Sequence, residues 1–376
     1  MKMTAAVLYE QGLPAPYAES QPLKIEQVDL AGPNEGEVLV EVRAAGLCHS
    51  DLSQIAGLRK RTVPVVMGHE GAGIVREVGS GVTQFKAGDH VVMTVGSGCG
   101  QCRSCIGARP VLCDVAANAR GRGVILTGRN ALSIRGEPLY HHSGISSFAQ
   151  YTVTVPGSLV KVDPSLALDV VSMFGCAVVT GAGAVFNAAN VRPGQHVAVV
   201  GLGGVGLNSV MAAKIAGASH IIGIDLQESK LALARELGCT HTFLASDPEL
   251  IEKIRSLTNG GVDFAFEISG SKSGMASATA ITCKGGEIIC VGLGATTEMF
   301  PYAHTALVSE EKVFRGSLMG SCVPSRDLPL YLRYYQEGRL PVDKLMSGTM
   351  GFADLNTNLD KLEHGAVLRQ VLLPHG

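Results

Sequence analysis

Two periodicities divide the chain. Up to about residue 175, apolar and polar positions alternate over short stretches, as in EVLVEVRAAG (37–46) and GAGIVREVGSGV (71–82). A period of two between frequent glycine turns predicts half-buried strands and a mostly β domain. The character changes near Val191-Arg192-Pro193-Gly194. HVAVV (196–200) is a continuous apolar run. A glycine turn, a helical stretch, a second buried strand ending at Asp225 and another helix follow it. VDFAFEISG (262–270) and GGEIICVGLG (285–294) extend the alternation, and VFRGSLMG (313–320) is the expected last strand. Buried strands alternating with helices predict a doubly wound parallel sheet, so the fold class is α/β. Near the end, LPLYLRYYQEG (328–338) reads as a helix, and VLRQVLLP (367–374) is expected to return to the first domain. The expected domains are 1–177, completed by 320–376, and 178–319.

Bulk composition narrows the partners. The 376 residues are 46% hydrophobic and 17% charged, enough for two ordinary cores. A formal charge of −2 offers no basic face to nucleic acid or to an anionic membrane. The opening MKMTAAVLYEQG has only a short apolar stretch, too short for a signal peptide. No run approaches the roughly 18 apolar residues that span a bilayer. Ten cysteines in such a chain favour thiols and metal in a reducing cytoplasm over a disulfide framework.

Four of those cysteines, Cys99, Cys102, Cys105 and Cys113, stand in the pattern C-x2-C-x2-C-x7-C. Thiolate is a soft ligand that suits zinc, and two-residue gaps let one loop wrap a tetrahedral ion. Four sulfurs leave no open position, so the expected site is structural. An iron–sulfur cluster uses similar gaps and is the competing metal reading. Disulfides and core thiols are the non-metal alternatives, but the polar, glycine-rich GSGCGQCRSC does not resemble a core strand.

Gly201-Leu202-Gly203-Gly204-Val205-Gly206 reads G-x-G-x-x-G between an expected strand and an expected helix. The first glycine permits a tight turn, Gly203 lets backbone approach a pyrophosphate, and Gly206 allows close helix–strand packing. The helix start, with Gly204 and Val205, offers free N–H groups to phosphate. Asp225 ends the next strand, where a carboxylate accepts ribose hydroxyls and repels a 2′-phosphate, favouring NAD over NADP. Its alternative role is to cap the following helix.

A second set of ligands is scattered. Cys48 lies in AGLCHSD, His69 in MGHEGAG and Cys176 in FGCAVVTG. Alone, each is an ordinary buried thiol or histidine. Together they match a catalytic zinc, which keeps three protein ligands and one open position.

GLCHSD (46–51), GHEGAGIV (68–75), the four-cysteine loop, Gly175-Cys176, GLGGVG (201–206) and Arg369 together resemble the zinc-dependent medium-chain alcohol dehydrogenases. The resemblance covers essentially the whole chain. It implies a GroES-like catalytic domain, a Rossmann cofactor domain, NAD and two zinc ions per chain. One zinc would sit at Cys48, His69 and Cys176, the other at the four-cysteine loop. The implied chemistry is reversible oxidation of alcohols to aldehydes or ketones. Asp51 matches the carboxylate that orients the histidine ligand, and Glu70 a nearby acid. Ser50 matches the hydroxyl that passes the alcohol proton on. Ser53 stands where many members end that relay with a histidine, and His49 is the alternative acceptor as well as a phosphate contact. Arg369, Lys230 and Thr180 match further cofactor contacts.

The resemblance also shapes the expected substrate. The long stretch from Cys113 to Phe148 resembles the dimeric animal-type and glutathione-dependent branches, so a homodimer is expected. Val95 takes a place where a bulky aromatic often sits, which favours a bulky or aromatic primary alcohol. Asn118, His142, Leu293 and Leu318, with Arg59 and Ser143, fall at wall positions. The glutathione-dependent branch carries an acidic residue in the loop after the CHxD motif. Here that loop reads GLRKRTVP, and the arginine of that branch is displaced to Arg120, so glutathione-dependent formaldehyde dehydrogenase activity ranks second. A zinc-thiolate or nucleotide-binding protein without turnover is the alternative of another class.

Overall fold

In the computed structural model, which describes residues 1–95 and 97–376, the alternating segments are strands. Lys2–Leu8, Leu23–Leu30, Leu132–Ile134, Glu137–His141 and Val65–Val66 close a small barrel. Beside it runs a sheet ordered Leu159–Lys161, His90–Met93, Gly71–Val78, Val38–Leu47, Arg369–Leu372, Met346–Met350, with Tyr151–Thr154 also on Val38–Leu47. The strand Val38–Leu47, expected to be half-buried, is buried on both faces. Val38, Val40 and Val42 enter one core with Val75, Val91, Met93 and Phe148, while Leu39 enters another with Val7, Val28 and Val153. Each such side chain, fully buried, contributes about 1.5–3 kcal/mol. Gly73 is needed where this sheet crowds: a Cβ there would lie 2.1 Å from the Glu41 carbonyl oxygen.

Strand Arg369–Leu372 runs antiparallel to the end of Val38–Leu47, with Gln370 opposite Leu47. That register sets Arg369 beside the residue after Leu47, which is Cys48. Residues Met1–Cys176, Val323–Pro329 and Val342–Gly376 form this first unit. The expected closing segment, 320–376, is divided: Ala177–Cys322 and Leu330–Pro341 form the second unit.

The second unit is a six-stranded parallel sheet in the order His241–Leu244, His220–Asp225, His196–Val200, Val262–Glu267, Thr282–Cys290, Val313–Gly316. Numbered along the chain this is 3-2-1-4-5-6, the doubly wound order, with its switch point beside His196–Val200. Ala198, Val200, Ile222, Ile224, Ala265 and Ile288 pack in its core with Ile254, Ala278 and Ile281 from helices. Among the described residues, no single helix is long and apolar enough to cross a membrane.

Candidate active site and metal centres

Strand Val38–Leu47 runs directly into the helix His49–Ile55, and Cys48 is the junction. Cys48 is extended, with φ −126° and ψ 152°, and caps the helix. Its own N–H donates to Asp51 Oδ2 at 3.1 Å, while its sulfur receives the backbone N–H of Asp51. This is a capping box with cysteine in the place of serine. The cap turns Asp51 inward, where it is fully buried.

Asp51 Oδ1 lies 2.9 Å from His69 Nδ1. A carboxylate there selects the tautomer protonated on Nδ1, so the Nε2 lone pair is free for a metal. Nε2 is 3.4 Å from Cys176 Sγ. Ligand atoms of Cys48, His69, Glu70 and Cys176 all lie within 4.8 Å of one another, and all four residues are buried. A tetrahedral ion with bonds of about 2.0–2.3 Å holds its ligands roughly 3.3–3.8 Å apart, so this donor set fits zinc. Hydrogen bonding from Cys176 leads the effects that pull the Cys48 thiol well below its ordinary range, against burial and with His69 and Arg369 assisting. The Cys176 thiol is driven well up, first by Cys48 and then by burial. Two sulfurs this close share one proton readily, and a cation between them would displace it.

Glu70 Oε1 is paired with the Arg369 guanidinium, and Glu70 Oε2 is buried without a partner. Burial raises the Glu70 carboxyl to about 7, with Arg369 opposing. A Cβ on Gly46 would sit 2.8 Å from Glu70 Oε1 and 3.0 Å from Arg369 Nη2, so only glycine leaves room for the pair. Arg369, expected on a cofactor phosphate, is thus 4% exposed and held by Glu70.

His142, expected on the substrate wall, packs edge-on against His69 with ring centroids 5.4 Å apart. Its Nδ1 is 3.5 Å from Asp51 Oδ1, and neither ring nitrogen has a hydrogen-bond partner. Burial, with His69 and Arg61, keeps its pKa well below the ordinary histidine value. Ser50 is half-buried and His49 exposed on the first turn of the helix. Ser53 Oγ donates to the Ser50 carbonyl at 3.1 Å. Val95 is half-buried against the first unit's core, Asn118 is exposed, and Leu293 and Leu318 of the second unit are 57% and 44% exposed.

The four-cysteine loop closes on itself. Ligand atoms of Cys99, Cys102, Cys105 and Cys113 lie within 4.8 Å of one another, with Cys102 and Cys105 sulfurs 3.5 Å apart. No disulfide joins the cysteines among the described residues. Burial opposes ionisation of Cys113. Backbone N–H groups of Cys99 and Ala116, with neighbouring thiols, outweigh it and bring this thiol down to about 6. Four sulfurs at this spacing, one already near ionisation, fit a closed zinc site.

In the second unit, Gly201 has φ +97° and a Cβ on it would lie 2.8 Å from Ser269 N. A Cβ on Gly206 would lie 1.9 Å from the Gly201 carbonyl oxygen, whereas one on Gly203 would meet nothing within 4 Å. The turn and the packing therefore need glycine, and open space stands at the cap of helix Gly204–Ala216 where a phosphate fits. Asp225 Oδ2 accepts the Leu202 N–H at 2.7 Å and Oδ1 the Gln227 N–H at 3.0 Å. The helix after it is capped by Gln227, not by Asp225. Lys230 Nζ is 3.8 Å from Asp225 Oδ1, and Thr180 Oγ1 donates to Met319 Sδ at 3.7 Å.

One arrangement had no signal in the spacing. Arg61 Nε donates to Gln54 Oε1 at 3.0 Å, and Gln11 ties down the same loop through its contacts with Arg59 and Arg61. Glutamines far apart in sequence carry no motif that announces such a clamp.

Two family models match the chain: the alcohol dehydrogenase GroES-like domain over residues 34–164 and the zinc-binding dehydrogenase domain over 204–337. The chain is 38% identical to an alcohol dehydrogenase class-3 of Pisum sativum, over 95% of each chain. It is 35% identical to an S-(hydroxymethyl)glutathione dehydrogenase of Paracoccus denitrificans, over 99% of this chain and all of that one. Its structure is similar to that of the benzyl alcohol dehydrogenase of Acinetobacter calcoaceticus, with a TM-score of 0.92, 31% identity and 99% of both chains covered. The chain belongs to the zinc-dependent medium-chain alcohol dehydrogenases, on their glutathione-dependent-like branch, and is an NAD-dependent oxidoreductase.

Proposed function

We propose that this enzyme oxidises bulky or aromatic primary alcohols to aldehydes, reversibly, at the site built on Cys48, His69 and Cys176. The observation that carries the assignment is the buried pair of thiols and the histidine with Asp51 behind it. When bound, zinc there supplies a Lewis acid that acidifies an alcohol, and NAD supplies the hydride acceptor. The chain's own groups do the rest. Asp51 keeps the proton on His69 Nδ1 and so fixes the direction of the Nε2 lone pair. Arg369 holds Glu70 in place beside the ligands. Ser50, half-buried on the first helical turn, takes the alcohol proton. Because Ser53 already donates to the Ser50 carbonyl, the exposed His49 is the exit to solvent.

Closing the pyrophosphate turn falls to Gly201, Gly203 and Gly206, and Asp225 has lone pairs left for a ribose after its two backbone bonds. The four-cysteine loop is a folding element. Two zinc ions per chain and a homodimer joined along the Val313–Gly316 sheet edge complete the proposal.

Oxidation of S-(hydroxymethyl)glutathione is the second reading, favoured by the name of the Paracoccus relative. Against it stands the loop GLRKRTVP (57–64), which lacks the acidic residue that would pair with the ammonium group of glutathione. Purified protein with NAD and a panel of benzylic, aliphatic and glutathione-adduct alcohols, followed by NADH formation, tests both. Turnover of the glutathione adduct far above any benzylic alcohol would reverse their order. No turnover with any of them would refute the dehydrogenase assignment of this site.

A further inference from the structure

Three adjacent strands of the parallel sheet each open on a histidine. His196, His220 and His241 are the first residues of His196–Val200, His220–Asp225 and His241–Leu244. His196 lies opposite His220, and Ile222, two residues on, lies opposite His241. Side chains two apart along a strand point to the same face, so all three histidines share one face of the sheet. They form a row. The ring centres of His196 and His220 are 4.8 Å apart, and those of His220 and His241 are 5.3 Å apart. Asp263 extends the row beyond His196, where its Oδ2 accepts the His196 N–H at 2.7 Å. The row lies at the ends of the strands away from the glycine turn. Gly201 is five residues from His196, roughly 16 Å along the strand, so the row stands clear of the cofactor turn.

The rings leave lone pairs and buried nitrogens unused. All three histidines are half-buried, and Nδ1 of His196 and Nδ1 of His220 are buried with no hydrogen-bond partner. Buried polar atoms are normally paired. Burial first, then His196 and His241, hold the His220 pKa below the ordinary histidine value, so its ring is neutral and keeps a lone pair. His241 is oriented by its neighbour, with Nδ1 3.0 Å from Thr240 Oγ1. That hydroxyl accepts the Ile221 N–H at 2.9 Å and donates to the Ile221 carbonyl at 3.2 Å. Its remaining lone pair accepts the His241 Nδ1–H, which leaves the Nε2 lone pair of His241 free for a metal.

The spacing fits an ion. A metal bonded to an imidazole nitrogen at about 2.0–2.1 Å lies roughly 3.1–3.2 Å from the ring centre, so two rings at about 90–115° around it have centres roughly 4.4–5.4 Å apart. Both observed separations fall in that range. We propose that His196, His220 and His241 form a third metal site, with His220 the shared central ligand, for a divalent ion of the zinc, nickel and copper class. Imidazole suits those ions, whereas calcium and magnesium take oxygen ligands. The bound ion ties together the starts of three strands, and no thiol takes part. The site stands independently of the alcohol chemistry proposed above. Neutral imidazoles on a half-exposed sheet edge hold an ion less firmly than thiolates in a closed loop, so desalting empties this site and leaves the cysteine sites filled.

The test titrates Ni2+ into tag-free, zinc-loaded, desalted enzyme by calorimetry, with Ca2+ as the control ion. Wild type should take up one Ni2+ per chain without releasing zinc, and no Ca2+. His220→Gln should weaken that uptake roughly tenfold or more, and His196→Gln and His241→Gln should each weaken it as well. His364→Gln, at an exposed histidine on another element, should bind Ni2+ as wild type does. Location is read independently of any variant: wild-type crystals soaked in Ni2+ should show anomalous scattering from nickel beside the His220 ring. No Ni2+ uptake, uptake of Ca2+ in its place, or wild-type affinity in folded His220→Gln overturns the site. So does an equal loss in His364→Gln, which marks adventitious binding to surface histidines. If His220→Gln does not fold, the crystal decides: nickel on His220 upholds the site, and nickel only elsewhere refutes it.

Discussion

Asp51 Oδ1 lies 2.9 Å from His69 Nδ1, while the other oxygen of the same carboxylate accepts the Cys48 N–H at 3.1 Å. One buried side chain thus orients two of the three candidate zinc ligands. Asp51→Asn keeps the shape but removes the charge that favours the Nδ1–H tautomer. Zinc affinity or kcat should fall about 10–100-fold, as when other partners of metal-bound histidines are removed. Zinc loss to a chelator and steady-state kcat measure it. If both match wild type, Asp51 does not position the site.

The two cysteine sets should fail differently. Cys48→Ser and Cys102→Ser are each expected to lower the zinc content from two per chain to about one. Cys102→Ser should lower the unfolding temperature, since a closed site is part of the fold. Cys48→Ser should leave the fold near wild type and nearly abolish turnover. Elemental analysis, thermal unfolding and the NADH assay separate the cases. Iron in the four-cysteine loop would contradict the zinc assignment.

Spacing and periodicity made the local features legible. The four cysteines span one short loop, and the structure brings their sulfurs within 4.8 Å. In 38–42 the alternate valines Val38, Val40 and Val42 enter one core and Leu39 another, as a period of two requires. Features set by strand register were not legible. Glu70 and Arg369 are 299 residues apart, and strand pairing on both sides of Val38–Leu47, Ala72 with Ala44 and Gln370 with Leu47, brings them together. Likewise the contact of His142 with His69 has no signal in one dimension: Ser146 and Val66 hold its backbone so that the ring meets His69. The split of 320–376 was equally hidden, because the helix Pro324–Gln336 runs from one compact unit into the other.

Asp225 should set cofactor preference. Its oxygens are fixed by Leu202 and Gln227 N–H groups, so the carboxylate cannot swing away from an added 2′-phosphate. Wild type should prefer NAD by kcat/KM. Asp225→Gly should weaken NAD binding roughly tenfold to a hundredfold and narrow the preference. Equal specificity constants for NAD and NADP in wild type would refute the assignment.

His141 should make stability depend on pH. It is 2% exposed, and its Nε2 accepts the Ala131 N–H at 3.2 Å, so the folded state needs it neutral. Burial, assisted by Arg129, depresses its pKa to about 4. The unfolded chain takes up a proton near 6.5, so it binds more protons than the folded chain between about 6.5 and about 4. Stability is therefore full above that window and is lost as pH falls through it, by roughly 2 kcal/mol between pH ~7 and pH ~5. His141→Gln should remove this part of the slope. Urea unfolding at both pH values, wild type against variant, isolates it from the cysteine sites. Parallel slopes would show that His141 is not the titrating group.

Val95 tests the substrate reading. It is half-buried at the edge of the first unit's core, on the stretch that leads from strand His90–Met93 to the four-cysteine loop. If it lines the substrate site, Val95→Phe should place a phenyl ring where a branched or ring-bearing alcohol must lie. Overpacking of that kind costs about 1–3 kcal/mol, so kcat/KM for benzyl alcohol should drop about fivefold to a hundredfold. Ethanol leaves the space empty and should change little, or gain from tighter positioning. The ratio of the two specificity constants, in wild type and variant with equal zinc content, is the measurement. Equal ratios would place Val95 in the core alone, because a ring that only disturbs packing slows both alcohols together.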